Sequence, residues 1–169
     1  MNQLMMLRAC SCILLGLAAG CAGLEPTDTE GDGGVATLAV VQAEAPALQL
    51  RFQGAERVVL GTVERVSAAF GHNQYGDYLI LSTVTVRVVE SLRGAAAVVT
   101  RFELEGGTVG DLTLEVSDLP SLSPGDHGVF ALQRSAIGGW VPNRRGLGIL
   151  LLPAGADLTL VRRAEEVSR

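Results

Sequence analysis

The sequence contains no lysine; all 13 of its basic residues are arginine. Lysine nucleophiles, Schiff bases and the phosphate-loop lysine are therefore excluded. Cysteine is almost as scarce, and Cys10, Cys12 and Cys21 all fall within the first 21 positions. Cleavage ahead of Cys21 would remove two of the three, so no disulfide framework is expected. Histidine is limited to His72 and His127. A catalytic zinc takes three protein ligands, commonly including histidine. His72, even with Asp77 nearby, reads as a polar loop residue, and His127 as the residue after the Pro124-Gly125-Asp126 turn. No metal and no cofactor is expected. Charged residues make up only 18% and the formal net charge is -5, which argues against a nucleic-acid backbone as partner.

What is present begins with an N-terminal leader. Met1 to Arg8 carries one positive charge, and Ala9 to Gly20 is apolar and too short to span a bilayer, which needs about 20 residues. This is signal-peptide architecture over 1–20. Leu17-Ala18-Ala19-Gly20-Cys21 resembles the lipobox of bacterial lipoproteins. That resemblance implies acylation of Cys21, a membrane attachment through acyl chains, and a place in the cell envelope. Aspartate after the cysteine would favour retention at the inner membrane; here the residue is Ala22, which implies the periplasmic face of the outer membrane.

Residues 21–45 read as an acidic, glycine-rich tether, because Glu25, Asp28, Glu30 and Asp32 alternate with Pro26, Gly31, Gly33 and Gly34 with no basic residue among them. A flexible segment of that length spans on the order of 25 to 30 Å. The remainder, 46–169, is the expected domain. From Arg51 onward 12 arginines face 13 acids, so the domain itself is nearly neutral.

Apolar residues form 48% of the chain, enough to build a core. Their order in the domain has period two, the signature of strands. After one or two helical turns within Pro46 to Ala55, a first strand is expected from Arg57 to near Ser67 and a second from Tyr78 to Glu90, with Ile80, Val84, Val86 and Val88 inward. A third carries Val98, Thr100, Phe102 and Leu104, and Gly106-Gly107 turns the chain into Leu112, Leu114 and Val116. His127 to Arg134, the two halves of Trp140 to Leu152, and an edge strand over Asp157 to Arg162 complete the expectation. The fold class is all-β: a small five- to six-stranded barrel of OB type, with a β-sandwich as the alternative.

Several segments carry a resemblance. Glu56-Arg57-Val58-Val59-Leu60-Gly61-Thr62-Val63, Thr85 to Gly94, Gly106-Gly107-Thr108-Val109-Gly110, and Pro124-Gly125-Asp126 ahead of Val129-Phe130-Ala131-Leu132 resemble a recurring, uncharacterised secreted domain of bacteria over about residues 50–152. That domain is similar in outline to the netrin-like barrels of tissue inhibitors of metalloproteinases. The resemblance implies the OB fold. Inhibitory activity does not carry over, because those inhibitors use a free N-terminal cysteine amine and are cross-linked by disulfides.

Catalytic constellations are sparse. Glu103 and Glu105 share one strand face about 6.6 Å apart, a range that paired carboxylates use in glycoside hydrolysis and that neighbouring solvated residues also occupy. No nucleophile elbow, phosphate loop or dinucleotide fingerprint occurs. The expected function is that of a lipid-anchored envelope protein acting as a non-catalytic binding or structural module. An envelope hydrolase or metal-dependent enzyme, and a protease-inhibitor-like module, are the alternatives. The expected partners are the membrane through Cys21 and an envelope protein, peptide or glycan. In OB-type barrels, ligands bind the exposed face of the second and third strands and the adjoining loops. Here that surface maps to His72, Asn73, Tyr75, Tyr78, Arg87, Arg101, Trp140 and Arg144.

Overall fold

The computed structural model describes residues 46–153 and 155–169. The leader, Cys21 and the tether lie outside the described residues. Residues 46–52 are helical (α1), within the stretch expected to hold a turn or two of helix. Eight strands follow: β1 (Arg57–His72), β2 (Tyr78–Arg93), β3 (Val99–Glu105), β4 (Gly107–Val109), β5 (Leu112–Leu114), β6 (His127–Arg134), β7 (Trp140–Pro142) and β8 (Ile149–Leu151). A 3-10 turn, Arg145–Gly148, separates β7 from β8, and helix α2 (Thr159–Val167) closes the chain.

Six strands form one antiparallel sheet in the order β3-β2-β1-β6-β7, with β8 also paired to β6, while β4 and β5 form a separate hairpin. The sheet curls enough for β3 to approach β7, but no pairing joins them, so it is open. Three register shifts in the β1–β2 ladder sharpen its coiling, between Val58 and Val59, between Leu60 and Gly61, and between Val63 and Arg65. Gly61 sits at one of them, where an added Cβ would strike the Arg87 carbonyl and Val86.

Strand alternation divides the apolar residues between two cores. Val59, Val63, Val84, Val86, Phe102 and Phe130 fill the concave side. Val58, Leu60, Val129 and Ala131 face the other way and are covered by Phe52, Val161 and Ala164. Thus β1 and β6 are buried on both faces near their paired ends, which is why Val58-Val59-Leu60 and Val129-Phe130-Ala131-Leu132 are unbroken apolar runs.

Two expectations are corrected. Asp157 to Arg162 is not an edge strand; Thr159–Val167 is helix. Asp157 Oδ1 accepts hydrogen bonds from the Thr159 amide at 2.9 Å and hydroxyl at 2.7 Å, which starts the helix, and Val161 and Ala164 then face the second core at helical spacing. Gly107 does not turn the chain but opens β4; the reversal comes between Val109 and Leu112. Gly107 is at φ +125° with Ser82 and Ala68 where its side chain would stand, so only glycine brings this hairpin onto the β1–β2 ribbon.

Candidate functional site

The β4–β5 hairpin and the segment after it lie over the concave side of the β1–β2 ribbon and leave a cleft of about 630 Å³ between them. Val66, Ala68 and Val84 line the ribbon side, and Leu114, Val116 and Leu119 the opposite side. Hydroxyls mark most of its polar positions, with Glu105 and the exposed Glu115 adding carboxylates. Ser82 Oγ donates to the Gly106 carbonyl at 2.7 Å, and the Thr108 and Thr113 hydroxyls bond each other at 2.9 Å. The volume falls within the range of small-ligand sites.

One end of the cleft is braced by a polar chain. Glu105 accepts from Asn73 Nδ2 at 2.9 Å and from Arg145 Nη2 at 3.1 Å, while Arg145 also pairs with Asp118. The guanidinium beside Asp118 holds its carboxyl below the usual carboxylate range, and the two acids together raise Arg145 above its ordinary value. Arg144 and Arg145 both have left-handed backbones, at φ 51° and 58°, so this bend keeps a strained conformation through its side-chain bonds. Glu105 is committed to these partners, whereas Glu103 is exposed on the outer face of β3.

The eight surface residues expected from sequence are held in separate settings, and one of them, Asn73, is buried, its side chain spent on the turn and on Glu105. His72, Tyr75 and Tyr78 stand together at the β1–β2 turn, with the His72 and Tyr78 ring centres 5.1 Å apart. Arg87 and Arg101 lie on the face opposite to Val84 and Val86; Arg101 faces Thr85 across the ladder, and Arg87 donates to Glu64 at 2.6 Å. Two guanidinium groups lie over the Trp140 ring, that of Arg57 at 4.5 Å and that of Arg134 at 4.0 Å from its centre. Arg144 donates to the Gln53 side chain at 3.1 Å. Cys21 is outside the described residues. His127 Nδ1 lies 3.0 Å from the Thr62 hydroxyl, and among the described residues no three His, Cys, Asp or Glu side chains gather as a metal site would require.

The cleft is not legible in the sequence because its lining comes from three separate stretches, 66–68, 82–84 and 104–122, none of them marked by itself as part of a site. Gly106-Gly107 was its one local signal: paired glycines mark close backbone approach as well as turns. Compared with protein families, curated proteins and solved structures, the chain finds no match. Among the described residues, no helix is long and apolar enough to cross a membrane.

Proposed function

We propose that this protein is a lipid-anchored, non-catalytic binding module of the bacterial cell envelope, held at the membrane through Cys21 and built on an open, OB-like barrel of the netrin-like outline. The observation that carries the binding reading is the cleft under the β4–β5 hairpin. Its walls pair aliphatic side chains with hydroxyls, and its one bracing carboxylate, Glu105, is occupied by Asn73 and Arg145. Such a lining, to which Glu115 adds one exposed carboxylate, suits a neutral or basic segment of an envelope peptide or glycan better than a reacting substrate, because no partnered base and nucleophile stand beside that acid.

Ser121 lines the cleft but is itself exposed, so its side chain can be enlarged without disturbing the core. Ser121→Trp in the full chain is expected to abolish capture of envelope peptides or glycans at an unchanged melting temperature. Retained capture by a folded variant would remove the cleft as the binding site.

A further inference from the structure

The β1–β2 hairpin outruns the sheet. Its pairing continues to His72 and Tyr78, whereas β6 leaves β1 at Thr62 and β3 leaves β2 at Leu81. The aromatic residues are sorted accordingly. Phe52, Phe102 and Phe130 are fully buried, and the Trp140 ring is covered by the guanidinium groups of Arg57 and Arg134. The other three, Phe70, Tyr75 and Tyr78, are 44%, 68% and 67% exposed, and all three stand on this hairpin end. Phe70 and Tyr78 stack with ring centres 5.9 Å apart, and His72 leans on Tyr78.

This knob is rigid and almost without charge. Asn73 is buried; its Oδ1 accepts from the Tyr75 and Asp77 amides, both at 2.9 Å, and its Nδ2 donates to Asp77 and Glu105. The turn is thereby fixed to β3, and Tyr75 is displayed on a preformed loop. From Val66 to Ile80 no arginine occurs, and the only acid, Asp77, accepts from Asn73. Large rings with one polar tip, free of surrounding charge, are the side chains that settle at the level of lipid headgroups.

We infer that the aromatic hairpin end formed by Phe70, Tyr75 and Tyr78 inserts into the lipid interface of the bilayer to which the chain is anchored. The inference rests on the anchored reading. The tether of residues 22–45 then supplies the reach, on the order of 25 to 30 Å, that keeps the domain at the bilayer surface. Binding there becomes intramolecular, so a small apolar contact is enough to orient the domain. A protein partner is the weaker occupant, because the knob lacks the charged and hydrogen-bonding rim of a protein interface.

The test uses the full chain carrying Tyr75→Trp, in phosphatidylcholine vesicles whose acyl chains are brominated. The expected result is a blue shift and bromine quenching of the new indole. The native chain, whose only tryptophan is Trp140, supplies the unquenched baseline. The mass of the N-terminal peptide reports acylation independently. Quenching without acylation keeps the inference and overturns the anchor, whereas acylation without quenching overturns the inference. A spectral change that needs envelope protein instead of lipid would assign the knob to a protein partner and equally overturn it.

Discussion

At the scale of single residues, the alternation along β2 separates positions that differ by one place and several kcal/mol. Val86 is fully buried in the concave core, while Thr85, next to it, is half-buried between Arg65 and Arg101 on the adjoining strands. Val86→Asp would bury a carboxylate without a partner, at a cost of several kcal/mol, and is expected to unfold the domain. Thr85→Asp would instead face two arginines and is expected to change stability by no more than about 0.5 kcal/mol. Urea denaturation of the two variants distinguishes them; equal losses would mean that the strand's inward face is misassigned. This phase was legible from sequence because one face of β2 is buried and the other open, so burial imprints directly on residue type. The role of Asn73 was not. An asparagine in a polar loop looks alike whether it faces water or organises a turn, and its bond to Glu105 spans 32 positions.

At the scale of elements, α2 and β1 show where local pattern misleads. Leu158, Leu160 and Arg162 alternate with Thr159 and Val161 as a strand would, yet Leu158, Val161 and Ala164 also lie at helical spacing, and those three pack into the second core. The helical reading wins because Asp157 fixes the first turn and Glu165 meets a guanidinium from β2. Likewise β1 was expected to stop near Ser67, but Ala68 to His72 continue as strand because Tyr78 to Ser82 pair with them. Small residues and a glycine carry little strand preference of their own, and the partner strand supplies it.

The join of α2 to the sheet rests on Arg93. Its Nε donates to Glu165 at 2.8 Å, its Nη1 to the carbonyls of Phe52 and Ala55, both at 2.9 Å, and its Nη2 to Ser168 at 2.6 Å. Removing one member strands the other. Arg93→Ala is expected to cost about 3–5 kcal/mol, since it leaves the buried Glu165 with only the exposed Arg169 as its counter-ion. The double change Arg93→Met, Glu165→Leu is expected to recover part of that loss. Calorimetric melts of Arg93→Met, Glu165→Leu and the double variant close the cycle; strict additivity would show that the pair does not act as a unit.

At the scale of the whole molecule, the proposed anchor would govern where the domain works. Under the anchored reading, Cys21→Ser is expected to shift the protein from the membrane fraction to soluble or unprocessed material on cell fractionation. Normal processing with full membrane retention would sink the anchor. Sequence disclosed an all-β domain and most strand positions, because both are local. It did not disclose that the sheet stays open, nor the cleft, because both depend on how remote segments meet.

The ladder between β1 and β6 also bears on the order in which the chain assembles. Residues 73–77 are the only loop needed to bring β1 and β2 together, whereas Arg57 must find Leu132 and Thr62 must find His127. Closing the short loop costs little entropy and closing the long one considerably more, so the hairpin is expected to form first and β6 to arrive late. Until it arrives, the outer edge of β1 is an unpaired row of amides and carbonyls flanked by Val58, Val59 and Leu60, open to any other extended chain. The interval before β6 docks is therefore when this chain is most exposed to misassembly.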